Sequence, residues 1–155
     1  MAPNRDHPEV VIFPPVIPAS ALVAMLVLHW LWPLQIPLRL PSVVLGAVIC
    51  MLGIACVAWG RITLVKAGTN VSPLEPTTGI VTAGPFRFTR NPMYVGITAL
   101  IFGVSLLLGT WWGVIVLLPA TLALHYGVVL REERYLEQKF GALYLKLKRS
   151  VRRYL

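Results

Sequence analysis

Two short blocks carry most of the chemistry this chain has to offer. Arg90-Asn91-Pro92-Met93-Tyr94 brings a guanidinium, an amide and a phenol within five positions, and Glu132-Glu133 sets two carboxylates side by side. A carboxylate can accept both hydroxyls of a ribose or pair with an ammonium group. An arginine can grip a carboxylate through two parallel N–H donors, and a tyrosine ring attracts a cation or stacks on a planar base. His125 and Arg131 are the remaining catalytic candidates: an imidazole can take a proton from an acceptor amine. Metal chemistry is not expected. Cys50, Cys56, His7, His29 and His125 are scattered without the spacing a metal site needs.

The elements that must position these blocks are set by hydropathy. Of 155 residues, 57% are hydrophobic and 13% charged, with a mean hydropathy of +0.74. A soluble domain carries about a quarter charged residues, so much of this surface faces something other than water. Uncharged runs of 29, 21 and 40 residues lie between Glu9 and Arg39, Arg39 and Arg61, and Arg90 and Arg131. A bilayer crossing takes roughly 20 apolar residues. The first two runs hold one crossing each, and the third holds two, folded at Gly109-Thr110-Trp111-Trp112-Gly113. The expected fold is an all-α integral membrane domain of four transmembrane helices with a C-terminal cytoplasmic amphipathic helix.

Thirteen of the 14 Lys and Arg residues then fall on one side, and only Arg39 falls on the other. The positive-inside rule makes that side cytoplasmic, with both termini on it, in a membrane of the bacterial inner type. The net charge of +8 flanks the crossings instead of forming an aromatic-interleaved patch, so nucleic acid is not an expected partner. Asp6 and Glu9 spoil a cleavable leader, and the first crossing is expected to stay as an anchor. Cys50 and Cys56 stand six positions apart on one helix, too far around it for a disulfide.

The crossings are expected over about Val16–Leu34, Ser42–Leu64, Met93–Leu108 and Trp111–Leu130. Residues 1–15 read as a flexible N-terminus, and 66–155 as the catalytic region of a single 1–155 domain. Between the second and third crossings, glycines and prolines punctuate the 61–92 loop and argue for a shaped site. In the third crossing, Tyr94, Thr98 and Ser105 share a polar face, while Gly96 and Gly103 form a close-packing face within or between chains. In the fourth, Thr121, His125 and Glu132 fall on one stripe. Gly141 is a candidate helix end, and the basic segment from Leu145 is expected on the membrane surface.

Gly68-Thr69-Asn70-Val71, the Gly84-Pro85-Phe86-Arg87 lead-in, Arg90-Asn91-Pro92-Met93-Tyr94 and Glu132-Glu133 occur in this order around a membrane hairpin. The arrangement resembles the integral-membrane methyltransferases that include isoprenylcysteine carboxyl methyltransferase and phosphatidylethanolamine N-methyltransferase. The resemblance covers about residues 68–155. It implies methyl transfer from S-adenosylmethionine, with S-adenosylhomocysteine as product, to a lipophilic acceptor at the cytoplasmic interface. Arg90, Asn91, Pro92, Tyr94, Glu132 and Glu133 are the implied cofactor contacts, and membrane lipids the implied surroundings. The chain departs from the family's pattern where Asn91 replaces a histidine, where Leu147 replaces a second tyrosine, and at Val151-Arg152-Arg153-Tyr154. No Gly-x-Gly-x-x-Gly follows a strand, which excludes a soluble dinucleotide-fold methyltransferase.

Each residue also has a plainer reading. Glu132-Glu133 can be a solvated helix start paired with Arg131 and Arg134, Arg90 a membrane-side anchor, Asn91-Pro92 a helix start and Tyr94 an interfacial belt residue. His125 can serve structure alone. A non-catalytic membrane scaffold or transport subunit is the rival function, and it leaves the ordered blocks without purpose.

Overall fold

The computed structural model describes residues 10, 13–37, 39–72 and 75–154. The loose segment expected over 1–15 therefore lies largely outside the described residues. Among those described, the secondary structure is helical. Extended pairing is limited to two isolated bridges, Gln35 with Thr110 and Thr89 with Arg152.

Helix α1 spans Val16–Leu31 and stops short of the expected Leu34, because Pro33 cannot donate and the Trp32 N–H closes the last turn on the Leu28 carbonyl. Helix α2 spans Leu40–Lys66, longer than expected at both ends. Its start is fixed by a reciprocal pair: the Arg39 N–H donates to Ser42 Oγ, and the Ser42 hydroxyl donates to the Arg39 carbonyl. Helix α3 runs Pro92–Leu108 and ends on Gly109 at φ +59°. Helix α4, Trp112–Leu124, continues through a π-turn at His125–Val129 into α5, Leu130–Phe140. Gly141 breaks the path, and α6 follows over Ala142–Ser150.

Two helical stretches, Leu40–Lys66 and Trp112–Phe140, are long and apolar enough to cross a membrane; Val16–Leu31 and Pro92–Leu108 are apolar but shorter. Val44, Met51, Leu52, Ile54 and Ile62 on α2 all point outward and exposed. In water such a continuous apolar face would drive association; against lipid it is the proper solvent contact. The chain is a membrane protein.

Its interior is narrow. Met25, Ile101, Val116, Ala120, Leu124 and Val128 form the buried core. Helix α2 packs along α3 and α1 along α4. The α2–α3 seam is built from small residues: a Cβ on Gly53 would lie 2.7 Å from the Gly96 carbonyl oxygen, and one on Gly103 would lie 2.6 Å from Cys50 Sγ. The glycine face expected on α3 thus serves a contact within the chain. Cys50 and Cys56, both free thiols, face the same seam.

At the end opposite the charged blocks, the two hairpin turns are stitched together. Ile36 N–H donates to the Gly109 carbonyl at 2.6 Å, Trp111 N–H to Leu34 at 3.0 Å and Trp112 Nε1 to Trp32 at 2.6 Å. Ser105 belongs to this clasp: fully buried, it donates to the Thr110 carbonyl instead of joining Tyr94 and Thr98 on an open polar face. An unmet carbonyl in an apolar interior outcompetes any looser arrangement.

Candidate functional site

At the other end, α3 begins where α5 leaves the bundle, and the two charged blocks meet. The lead-in is shaped by Gly84, which has φ +56° and lies so near α2 that a Cβ would stand 2.7 Å from Thr63 Oγ1. Only glycine satisfies both conditions without strain. A 3-10 turn over Gly84–Arg87 then delivers Thr89, Arg90 and Asn91 to the start of α3.

Arg90 and Glu133 are the buried centre. Arg90 Nη1 lies 3.0 Å from Glu133 Oε1, with side-chain exposures of 7% and 6%. Arg153, from beyond α6, closes on the same carboxylate with two bonds, Nε to Oε1 at 2.9 Å and Nη2 to Oε2 at 2.8 Å. The bonded carboxylate holds the Arg153 guanidinium above its ordinary value. Arg90 also donates to the Tyr144 hydroxyl at 3.4 Å. Burial, with the Glu133 charge alongside, pushes the Tyr144 phenol up to about 12, so it stays neutral. Burial of both side chains rules out the solvated helix start that the sequence allowed for Glu133.

Glu132 is different. Its Oε1 accepts from the Tyr94 hydroxyl at 2.9 Å, and no cation pairs with it among the described residues. One carboxylate is therefore spent on two arginines, and its neighbour is held by a neutral phenol. Burial pushes the Glu132 carboxyl up to about 7, and a cation arriving in the hollow beside it would favour the charged form. The hollow is lined by Glu132, Glu133, Arg90, Asn91, Pro92 and Tyr94, together with the 69–72 and 77–81 stretches of the loop. Arg90 Nε is buried with no partner among the described residues, a donor left unspent beside the pair with Glu133. Arg131, by contrast, is exposed and lines neither this hollow nor the groove described below.

Asn91 does not cap α3 with its side chain. Its Nδ2 donates instead to the Arg153 carbonyl at 3.0 Å, beside a bond from Thr89 Oγ1 to the same oxygen. Arg90 N–H donates to the Arg152 carbonyl at 2.9 Å. Residues 151–154 thus form a strap across the site, not a basic tail spread on a surface. A single hydrogen bond is worth about 1 kcal/mol net. Asn91→Ala should therefore raise the open fraction of the strap about fivefold, seen as proportionally faster trypsin cleavage after Arg152 in detergent.

Sequence reasoning missed Arg153 and Thr89 as parts of this assembly. Arg153 sits in a basic run where nothing marks one arginine from the next. It also missed the π-turn. An extra residue in one turn rotates everything after it by roughly 100°, so Glu132 and His125 do not share a stripe. Glu132 faces the charged hollow, while His125 lines a separate groove with Thr121 and Tyr154.

Comparison with curated proteins gives no match. The phospholipid methyltransferase family model matches residues 41–142, from the start of α2 to the end of α5, and so takes in both charged blocks and the loop between them. With two thirds of its length matched in this way, the chain belongs to the phospholipid methyltransferase family and is a membrane methyltransferase.

Proposed function

We propose that the protein transfers a methyl group from S-adenosylmethionine to a lipophilic acceptor at the cytoplasmic membrane surface. The observation that carries this reading is Glu132, an unpaired carboxylate beside the Arg90–Glu133 pair. The cofactor is a cation at sulfur and at its amino group, an anion at its carboxylate and a diol at its ribose. Glu132 suits the cationic part or the diol, and the Arg90 guanidinium, whose Nε has no partner among the described residues, suits the carboxylate. Tyr94 holds Glu132 in place and offers its ring. Asn91 and Pro92 complete the wall, and Glu133 keeps Arg90 aligned.

Free space in the hollow is about 150 Å³. Small-molecule sites run to about 300–1,000 Å³. A nucleoside-sized guest therefore requires the hollow to widen. The 67–83 loop is held by turns of its own, Thr78 N–H to Thr69 Oγ1 at 3.2 Å and Asn70 Nδ2 to the Pro76 carbonyl at 3.0 Å. Thr77 N–H bonds Tyr135 Oη at 3.2 Å across to α5.

When bound, the cofactor supplies an electrophilic methyl group on a positively charged sulfur. The protein's part is to bind, orient and exclude water. In this reading α1, α2, α3 and the α4–π-turn stretch up to Leu130 are four crossings of one domain. Both termini, the loop before α3 and the helices after the fourth crossing lie on the cytoplasmic side in this reading, which the 13-to-1 distribution of basic residues supports. The acceptor is a prenylcysteine-like carboxylate, a phospholipid amine, or a lipophilic alcohol or thiol.

Purified protein in detergent should bind S-adenosylhomocysteine in the micromolar range by calorimetry. Changing both Glu132 and Glu133 to Ala should abolish that binding while the protein still inserts in the membrane. Unchanged binding in the double variant overturns the site.

A further inference from the structure

A second cavity of about 660 Å³ runs between α3 and α4. Its wall is mostly apolar, with Val95, Phe102, Leu117 and Leu122 among the lining residues. Five polar side chains interrupt it: Tyr94, Thr98, Thr121, His125 and Tyr154. Three are already committed. Tyr94 donates to Glu132, Thr98 Oγ1 donates to the Tyr94 carbonyl at 2.9 Å, and Thr121 Oγ1 donates to the Leu117 carbonyl at 2.7 Å. His125 and Tyr154 remain. They bond each other, with Nδ1 and Oη 2.9 Å apart, and His125 Nε2 has no partner among the described residues.

The backbone supports this placement. The π-turn begins at His125, and such turns, costly in regular helix geometry, recur where a side chain must be re-aimed. Tyr126 stands edge-on to the imidazole at a centroid distance of 4.9 Å. Tyr94 lines both the groove and the charged hollow, so the two spaces share one wall.

We infer that His125, oriented by Tyr154, accepts the proton that an acceptor amine, alcohol or thiol loses on methylation, and that the α3–α4 groove holds the acceptor's single apolar chain. This rests on the methyltransferase reading above. For Nε2 to accept, Nδ1 must carry the hydrogen and donate to Tyr154 Oη. Burial holds the Tyr154 phenol above its ordinary value despite Arg153 beside it, so the oxygen is a neutral acceptor. In the step, the nucleophile's lone pair forms the new bond to the methyl carbon. The S–CH₃ bond breaks with its electron pair staying on sulfur, and the nucleophile's proton passes to Nε2. The groups around the imidazole are Tyr126 on its own helix, Tyr94 from α3 and Tyr154 from the strap. The charges of Arg153, Glu133 and Glu132 act on Tyr154. A carboxylate acceptor has no proton to lose and would leave His125 idle.

The test uses full-length protein in detergent with labelled S-adenosylmethionine and three probes sharing a dodecyl chain: dodecylamine, dodecanethiol and dodecanoate. Wild type should methylate the amine or the thiol, with kcat rising along one ionisation as pH increases. His125→Gln, which can still bond Tyr154, should lose about 10²–10⁴-fold in kcat and the ionisation with it, at nearly unchanged KM. Its S-adenosylhomocysteine binding should stay at the wild-type value. Tyr154→Phe should lose about tenfold, and nitrogen NMR of His125 should show the proton moved from Nδ1 to Nε2, a change that mere loosening would not produce. Full amine or thiol kcat in His125→Gln, transfer to dodecanoate alone, or no transfer to any probe by cofactor-competent enzyme overturns this inference. Failure of wild type to bind S-adenosylhomocysteine overturns instead the reading on which it rests.

Discussion

Glu133→Ala is expected to destabilise the protein by about 3–5 kcal/mol and to eliminate S-adenosylhomocysteine binding. Glu133 is 5% exposed and bonded to both Arg90 and Arg153. Removing it leaves the Arg90 guanidinium buried without a counter-charge, which costs far more than the lost attraction alone. Arg153 suffers less because its side chain is 31% exposed and can turn to water. The companion experiment is Glu133→Leu combined with Arg90→Met. Apolar groups of similar volume replace a buried pair at little cost, so most of the stability should return while ligand binding does not. Denaturant unfolding in detergent measures the first quantity and calorimetry the second. A single variant that unfolds within 1 kcal/mol of wild type would show that the cluster does not hold the strap and helices together.

The second large effect is expected at Gly53. An alanine Cβ there would meet the Gly96 carbonyl oxygen at 2.7 Å and the Leu100 nitrogen at 3.0 Å. Both obstacles are backbone, so no rotamer change relieves the clash, and α2 and α3 must move apart. Overpacking of this kind costs about 1–3 kcal/mol. It also displaces the start of α3, where Tyr94 meets Glu132. Gly53→Ala should therefore lose both unfolding free energy and about tenfold in cofactor affinity. Gly127→Ala is the matched control: nothing lies within 4 Å of its added methyl, and both properties should remain close to wild type. Equal behaviour of the two variants would refute the tight seam.

The apolar helices and the meeting of the two charged blocks were legible in the sequence because both follow from local rules. Uncharged runs of bilayer length set the helices, and a turn at Gly109 returns the chain to the side it came from. Gly96 and Gly103 announced a close-packing face by their spacing. What stayed hidden was non-local. Nothing in Arg152-Arg153 distinguishes a strap residue from a membrane-surface cation, since its partner Glu133 lies 20 positions earlier. Asn91 looked like a helix cap, yet tertiary contact with the Arg153 carbonyl claimed its amide. The π-turn gave no signal in the uniformly apolar run before Arg131, and one extra residue there divided a predicted stripe into two faces. Ser105 was assigned to an open face because helical angle alone cannot show that a turn carbonyl waits beyond the helix end.

The clasp at Gln35 and Thr110 carries a further geometric consequence. It fixes how near α3 and α4 stand at one end of the groove they line. Its α3 side runs from Tyr94 to Phe102, nine residues of helix whose eight rises span about 12 Å. The stitching thereby sets the spacing of the groove's walls from a point far from any reacting atom.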